Sequence, residues 1–260
     1  MSNNCKIEYN KMELMVIAAS RELEDRSSVI IGTGVPCAAG MLAQKTHAPN
    51  LIIFFEAGGA SPILPTMPVS VGDSRTSCKA IMATTMLDVM EMAQRGQMDY
   101  AFIGGAQIDM YGNINSTIVG DYKKPKVRFP GSGGANDLAS LCKKTLVVTN
   151  NDKRRFVEKV DFITTPGYLC GPGSREKAGL PAGTGPYRVI TDMAIMDYDD
   201  KEKRMRVISI HPGVTFEQVQ ENTGFKLLVS SDLKETKAPT KEELKILREE
   251  VDPQRYIIGR

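Results

Sequence analysis

A single carboxylate stands directly after an apolar run in this chain. Residues 50–55 read NLIIFF, Glu56 follows them, and the next residues are Ala57, Gly58 and Gly59. The isoleucines and phenylalanines of the run predict a strand, so Glu56 comes where that strand leaves the core. Two interpretations stay open from these residues: a strand end in contact with water, or a carboxylate held in a cleft for chemistry.

A lone carboxylate among backbone amides suits covalent catalysis on an activated acyl group. The carboxylate is ionised at neutral pH, so it needs no general base, and it can accept the acyl group as an anhydride. A dry pocket removes its hydration, and backbone N–H groups stabilise the tetrahedral intermediate. Glu56 is therefore a candidate nucleophile, although a glutamate at a strand end is more often structural.

Glycine clusters fall mostly after predicted strands, where open α/β sheets bind ligands. Glycine lets backbone amides approach a ligand closely, but it also serves tight turns in any α/β protein. The first cluster lacks the third glycine of the dinucleotide fingerprint, and the last lacks the Lys-Ser or Lys-Thr of a P-loop. The clusters are GTGVP at 32–36, EAGGASP at 56–62, GGAQID at 104–109, YGNINS at 111–116 and GSGGAND at 131–137.

The composition argues against several classes of protein. The 260 residues are 42% hydrophobic and 25% charged, with a formal net charge of +2, which is not the cationic excess of a nucleic-acid-binding or membrane-surface protein. No apolar run approaches the roughly 20 residues of a membrane span, and the first residues lack the apolar core of a signal peptide. We therefore expect a cytoplasmic protein that binds neither nucleic acid nor membrane.

Cysteine and histidine are too scattered to predict a disulfide framework, a zinc site or a histidine-dependent triad. An odd number of widely spaced cysteines without CxxC predicts reduced thiols. His47 and His211 are the two histidines, and we expect both to be structural because no partner is placed beside them. The cysteines are Cys5, Cys37, Cys78, Cys142 and Cys170.

Apolar β-branched runs that alternate with helical patterns predict an α/β protein. We expect one domain over residues 1–260, with an open, mainly parallel sheet flanked by helices and some antiparallel strands toward the C-terminus. Capping-box spacing, at 215 with 218 and at 240 with 243, predicts the starts of two late helices. Earlier helices are predicted at 12–23, 37–44 and 79–94, and strands at 27–36, 50–55, 99–105, 145–150 and 160–165.

Two further patterns have ordinary interpretations. Met82, Met86 and Met90 recur at helical spacing, so we expect them to fill the core. The basic cluster DKRRF at 152–156 is expected to be a solvated turn rather than a phosphate contact.

Three longer blocks together resemble one enzyme family. They are EAG at 56–58, FIGGAQIDMYGNINST at 102–117 and RFPGSGGAND at 128–137. In this order, with KRRF, GPGSREKAGLP and NTGF further along, they resemble the B (beta) chain of the class I, glutaconate-type, coenzyme A transferases over nearly the whole sequence. The resemblance implies an open α/β fold, an A (alpha) chain of related fold as partner in a hetero-oligomer, and an active site between the two.

The resemblance also implies a mechanism and a role for Glu56. This residue, in its Glu-x-Gly setting with Gly58, attacks the acyl-CoA thioester. The CoA thiolate then opens the acyl-glutamyl anhydride and leaves a glutamyl-CoA thioester, which a free (di)carboxylate such as glutaconate attacks in turn. Coenzyme A thioester is a substrate in this scheme, and no metal or redox cofactor takes part.

Two glycine loops complete the site that the resemblance implies. One follows Ser132 and contributes to the oxyanion pocket, and the other lies at a strand end. Their residues are Gly133 and Gly134 in the first loop, and Gly104, Gly105 and Gln107 in the second.

Two features leave the reaction open. The loop after Glu56, AGGASPILP, consists mostly of small and apolar residues. It does not identify the acyl group of the substrate. The family also contains decarboxylases and ring-opening C–C hydrolases that act on CoA thioesters, several without the glutamate, so Glu56 favours transfer. The alternatives are a decarboxylase or hydrolase chain on the same scaffold, and a non-catalytic chain that only stabilises or regulates a partner.

Overall fold

A ten-stranded sheet organises the chain in a computed structural model that describes residues 7–259. The strand order is β14-β13-β12-β11-β10-β5-β1-β2-β3-β4, and two short two-stranded sheets, β6-β7 and β8-β9, lie beside it. A 3-10 turn at Ser74–Ser77 and a π-helical turn at Leu247–Val251 complete the described elements. In chain order the main elements are α1 (Lys11–Arg21), β1 (Ser28–Ile31), α2 (Val35–Lys45), β2 (Ile52–Phe55), β3 (Gly59–Ala60), β4 (Met82–Ala83), α3 (Met86–Gln94), β5 (Tyr100–Ile103), β6 (Gln107–Ile108), β7 (Ile114–Asn115), β8 (Ile118–Gly120), β9 (Pro125–Arg128), α4 (Ala135–Leu141), β10 (Lys144–Val148), α5 (Ser174–Lys177), β11 (Pro186–Ile190), β12 (Ala194–Tyr198), β13 (Met205–Ile210), α6 (Phe216–Glu221), β14 (Leu228–Glu235) and α7 (Lys241–Ile246).

Five parallel strands form the middle of the large sheet, in the order β2-β1-β5-β10-β11. β1 and β5 are buried along their whole length, as expected for parallel strands covered on both faces. One face packs against α1 and α2 through side chains such as Ile31 and Ile53. The other packs against α3 and α4 through side chains such as Ile30 and Ile103.

The sheet changes direction of growth at β1. From β1 the chain first adds β2 on one side, and it later returns to add β5 on the other side. A crevice opens at such a switch point, outside the carboxyl ends of the strands. The residues that follow β1, β2 and β5 therefore meet at one edge of the sheet.

The predicted antiparallel strands toward the C-terminus are confirmed. β12 runs antiparallel to both β11 and β13. Both capping boxes are present: Thr215 caps α6 together with Gln218, and Thr240 caps α7 together with Glu243. The open α/β class, with helices on both faces of the sheet, is thus the one that the sequence predicts.

The helix predicted at 79–94 begins only at Met86, because Thr85 and Asp88 form a capping box at that point. Residues 82–83 instead form β4, which pairs with β3. Met82 and Met86 are consequently exposed, whereas Val89 and Ala93 are buried. The expectation that the methionines fill the core is wrong for these two, because the helix buries its valine and alanine face.

The strand predicted at 160–165 does not form. This segment has only an isolated bridge, between Thr165 and Ile114. Among the described residues, its backbone–backbone hydrogen bonds are confined to Ile114, and Thr164 Oγ1 also accepts a hydrogen bond from the backbone N–H of Ser116 at 2.9 Å.

The cysteines within residues 7–259 are unpaired, as expected for reduced thiols. Burial raises the pKa of the Cys37 and Cys142 thiols to about 12, so these two are poor nucleophiles. Cys5 lies outside the described residues. No helix of the described part combines the length and the apolar character that a membrane crossing requires.

Candidate active site

Glu56 lies half-buried at the carboxyl end of β2, in the wall of a cavity of about 200 Å³. Gly32 after β1 and Gly104 after β5 line the same cavity, together with the loop at 132–135 that leads into α4. The strands themselves add apolar walls at Ile31 and Ile103. The cavity thus occupies the crevice at the switch point of the sheet.

Register explains why these residues meet. Ile31 of β1 pairs with Phe55 of β2, so Gly32 and Glu56 follow at the same level on neighbouring parallel strands. β5 pairs with the other side of β1, which brings Gly104 to the same edge. Three strands buried in a common core therefore hold the backbone around Glu56.

Gly134 lies directly against the carboxyl group of Glu56. A Cβ atom at position 134 would be 2.9 Å from Glu56 Oε1, 3.1 Å from its Cδ and 2.7 Å from Met90 Cε. A side chain at 134 would therefore have to displace the Glu56 carboxylate and the end of the Met90 side chain. Glycine at 134 therefore lets the carboxylate and the loop backbone meet.

The loop before α4 is held by hydrogen bonds from outside it. The backbone N–H of Gly131 donates to Ser116 O, and Ser116 Oγ donates back to Gly131 O, both at 3.0 Å. Asn136 Nδ2 donates to Thr164 O at 2.8 Å. Gly133 has a φ of +52°, a conformation that glycine adopts without strain. These contacts hold the loop beside Glu56 before any substrate binds.

The carboxylate of Glu56 is free to meet a substrate. Among residues 7–259, no side chain or backbone donor forms a hydrogen bond or an ion pair with it. Its surroundings are largely apolar walls and glycine backbone. A weakly solvated carboxylate is a stronger nucleophile than one in bulk water, and nearby backbone amides are suited to stabilise an oxyanion.

Gly58, a predicted site residue, supports the loop from behind and does not line the cavity. Its φ is +119°, and a Cβ atom there would lie 2.0 Å from Thr84 O. Its backbone O accepts a hydrogen bond from the Thr84 N–H at 3.0 Å. The close approach of residue 84 beside β4 accounts for glycine at this position.

Gly105 and Gln107 also lie behind the cavity wall rather than in it. A Cβ atom at Gly105 would be 2.2 Å from Ile114 Cγ2. Gln107 Oε1 accepts from Asn115 Nδ2 at 2.6 Å, and Gln107 Nε2 donates to Asp161 at 3.1 Å. The structure thus brings Glu56, Gly104, Gly133 and Gly134 together and gives the other predicted residues supporting positions.

The basic cluster at 152–156 is a solvated turn only in part. Arg154 is exposed and pairs with Asp152 at 2.7 Å, as expected. Arg155 points inward, and its Nη1 donates to Gly105 O. Sequence reasoning missed this support for the strand-end loop, although KRRF belongs to the blocks that resemble the family.

Other supporting residues were also missed from the sequence. Met90 closes the space beside Gly134, and Thr164 is hydrogen-bonded to residues 116 and 117, in the segment that holds Gly131. Ser116 stood inside a recognised block, but no pattern marked Thr164. Among the described residues, no cluster of three His, Cys, Asp or Glu side chains is arranged to hold a metal ion.

Comparisons with known proteins agree with this geometry. Residues 12–222 match the family model described as coenzyme A transferase. The chain is 40% identical over 252 residues to the B chain of glutaconate CoA-transferase from Acidaminococcus fermentans, covering 94% of this chain and 93% of that protein. It is 42% identical over 246 residues to the B chain of 3-oxoadipate CoA-transferase from Pseudomonas knackmussii, covering 92% of each.

The fold of this chain is also similar to that of a solved transferase structure. The crystal structure of glutaconate coenzyme A-transferase from Acidaminococcus fermentans superposes with a TM-score of 0.92 at 37% identity, covering 97% of this chain and 98% of that one. The family model, the relatives and the solved structure thus agree over most of the chain. This chain belongs to the coenzyme A transferase family, as an enzyme chain of the B (beta) type.

Proposed function

We propose that this chain is the catalytic B chain of a heteromeric transferase that moves CoA between an acyl-CoA and a free carboxylate. The observation that carries the proposal is the Glu56 carboxylate, without a hydrogen-bond partner among residues 7–259, in a cavity bounded by Gly134 and two strand ends. A carboxylate so placed can attack a thioester that enters the cavity.

The reaction proceeds through two covalent states of Glu56. A carboxylate oxygen attacks the thioester carbonyl, the C–S bond breaks, and an acyl-glutamyl anhydride and CoA thiolate form. The thiolate then attacks the glutamyl carbonyl, which releases the first acid as a carboxylate and leaves a glutamyl-CoA thioester. The acceptor carboxylate reverses both steps. No proton moves in this scheme, so the site needs no general base.

The backbone amides of Gly133 and Gly134 are the proposed oxyanion donors, since the N–H of Ala135 already donates to Ser132 O. The loop at 132–135 lines the same cavity as Glu56, with Gly134 beside the carboxyl group, so these N–H groups are near each carbonyl that the mechanism attacks. Fixed amides of this kind stabilise a tetrahedral oxyanion without reorganisation. Coenzyme A acts as substrate, and the proposal includes no metal and no redox cofactor.

A dicarboxylate is the proposed acceptor. Two relatives of similar identity differ in the acid they are named for, glutaconate in one and 3-oxoadipate in the other, and both acids have two carboxylates. The small apolar loop after Glu56 leaves room for either. We place the reaction in the cytoplasm, in keeping with the reduced cysteines.

An A (alpha) chain is the proposed partner, as the names of the two relatives suggest. Several large apolar side chains are exposed close in sequence to β3, β4 and α3, near the loop that follows Glu56: Ile63, Val69, Ile81 and Leu87. A concentration of exposed apolar side chains marks an interaction surface. A partner bound there would also cover the side of the sheet edge that contains Glu56.

The test is a transfer assay on this chain assembled with its A-chain partner. We expect CoA to pass from an acyl-CoA to added glutaconate or 3-oxoadipate, and Glu56→Gln to lower kcat by at least about 1,000-fold, since removal of the nucleophile abolishes both covalent states. Glu91→Gln is the matched control, because Glu91 is an exposed glutamate of α3.

Two outcomes contradict the proposal. Turnover of acyl-CoA without an added acid would identify a decarboxylase or a hydrolase. Unchanged activity of Glu56→Gln would identify a chain that only supports its partner.

A further inference from the structure

The β8–β9 hairpin concentrates positive charge beside the active site. Its residues 121–129, DYKKPKVRF, contain four cations and one carboxylate, whereas the whole chain has a net charge of only +2. All four cations are exposed, and within residues 7–259 none of them forms an ion pair. The four are Lys123, Lys124, Lys126 and Arg128.

The nearby carboxylates support the backbone of the hairpin. Asp121 Oδ1 accepts from the backbone N–H groups of Lys123 at 2.8 Å and Lys124 at 3.1 Å. Asp161 Oδ2 accepts from the backbone N–H of Gly120 at 3.0 Å. These contacts fix the turn and its attachment, and they leave the lysine ammonium groups without a carboxylate partner among the described residues.

The hairpin leads directly into the cavity wall. Phe129 N–H donates to Thr117 O at 2.9 Å, and Gly131 N–H donates to Ser116 O at 3.0 Å. The next residues line the cavity. Gly133 lies five positions after Arg128, a path of at most about 18 Å. An elongated molecule with one end at Glu56 can therefore reach the hairpin with its other end.

Exposed aromatic rings stand next to these cations. Tyr122 and Phe162 stack with centroids 5.6 Å apart, and they are 56% and 38% exposed. The guanidinium of Arg128 lies 5.6 Å from the centre of the Tyr122 ring. Cations beside an exposed aromatic surface are the combination that binds phosphates together with a stacked base.

We propose that this hairpin binds the phosphorylated adenosine end of acyl-CoA, with the lysines and Arg128 at the phosphates and Tyr122 and Phe162 at the adenine. The inference rests on the proposed function, because that function places the thioester at Glu56. The hairpin then positions the far end of the same molecule, so that binding energy away from the thioester contributes to the reaction.

Adenosine 3′,5′-bisphosphate tests the binding step without any transfer. Its Kd for the assembled enzyme is measured by calorimetry for the wild type and for the triple variant Lys123→Gln, Lys124→Gln, Lys126→Gln. We expect the variant to bind roughly tenfold more weakly, as for the loss of several exposed charge contacts. The control replaces Lys237, Lys241 and Lys245, three exposed lysines on or beside α7, by glutamine and leaves the Kd unchanged.

Kinetics with a shortened substrate give a second, independent readout. We expect the triple variant to raise KM for acyl-CoA roughly tenfold and to leave kcat/KM for the corresponding acyl-pantetheine thioester unchanged, because that thioester lacks the phosphates and the adenine. An equal effect on both thioesters would overturn the inference.

The remaining outcomes are also decisive. If the wild-type enzyme does not bind the bisphosphate, the inference is wrong. It is also wrong if the triple variant loses its A-chain partner but keeps its Kd for the bisphosphate, because the lysines would then bind the partner and not the ligand. Lysine-dependent binding of the bisphosphate by an assembly that transfers no CoA would support the hairpin site and contradict only the proposed function.

Discussion

The carboxyl group of Glu56 lies beside Gly134, where a Cβ atom would be 2.9 Å from Glu56 Oε1 and 3.1 Å from Glu56 Cδ. One residue follows β2 and the other precedes α4, 78 positions later in the chain. The contact joins the candidate nucleophile to the candidate oxyanion loop. Glycine at 134 leaves the Glu56 carboxylate in place, whereas a larger residue would push against it.

Gly134→Ala should displace the Glu56 carboxylate and lower kcat by roughly 100-fold, as displacements of about 1 Å at a reacting group do. Gly32→Ala is the matched control, because Gly32 lines the same cavity and a Cβ atom there meets nothing within 4 Å. Steady-state kinetics and urea unfolding of both variants separate catalysis from stability. Wild-type kcat in Gly134→Ala would refute the contact's role.

Gln107→Ala should lower the free energy of unfolding by about 1–3 kcal/mol, since it removes the Gln107 Oε1 acceptor of the buried Asn115 amide, which keeps only Ile118 O, and of the Asp161 N–H. KM for acyl-CoA and for the acceptor should stay unchanged, because Gln107 lies behind the cavity wall. Gln94→Ala, at an exposed position of α3, serves as control and should change stability little. A raised KM with unaltered stability would instead place Gln107 at the substrate.

Gly58→Ala should destabilise the chain by more than about 3 kcal/mol, because a Cβ atom would lie 2.0 Å from Thr84 O and φ is +119°. Gly72→Ala is the comparison, since its Cβ atom meets nothing within 4 Å. Thermal unfolding and soluble yield give the answer. A stable Gly58→Ala protein that has lost activity would show that Gly58 acts on the substrate.

His211 should make the chain less stable in mild acid. Burial lowers the pKa of this imidazole, and its neutral form fits the hydrogen bonds to Thr191 O and Thr236 Oγ1 at 2.8 and 2.9 Å. The unfolded chain, with a pKa of about 6.5, then binds more protons than the folded one. The contribution is complete above pH 6.5 and is lost as the pH falls toward the lower, folded pKa.

We expect a loss of stability between pH 7.5 and 5.5 that stays below about 1.4 kcal/mol, the limit for one proton over the unit from pH 6.5 to 5.5. His211→Gln should lose less stability over the same interval, since it has no imidazole to protonate. Urea unfolding at the two pH values measures the difference. An equal loss in both proteins would rule out His211 as the cause.

Local patterns predicted the elements that local chemistry decides. The apolar runs of β1 and β5 and the capping boxes of α6 and α7 lie where the sequence indicates. The start of α3 was misplaced because Met82 fits a helical spacing, whereas its pairing with Ala60 in β3 makes it a strand residue. That pairing depends on residues distant in sequence.

The sequence predicted which segments meet, since Glu56 and the loops at Gly104 and at 133–134 line one cavity, but it did not predict which glycines line that cavity and which support it. Gly58 and Gly134 look alike in the sequence, yet one lies against Thr84 O and the other against the Glu56 carboxylate. Arg155 could not be assigned from its basic cluster, because only the folded chain brings it to Gly105 O. Contacts between distant segments decide such roles.

Chemical capture of the covalent intermediate is the most direct test of whether Glu56 is the nucleophile. The assembled enzyme is incubated with an acyl-CoA, treated with borohydride, digested and examined by mass spectrometry. If Glu56 forms the glutamyl-CoA thioester, its carboxyl group is reduced to an alcohol in the peptide that contains it, and this reduction depends on the acyl-CoA. An enzyme that transfers CoA with an unmodified Glu56 under these conditions would contradict this role of Glu56.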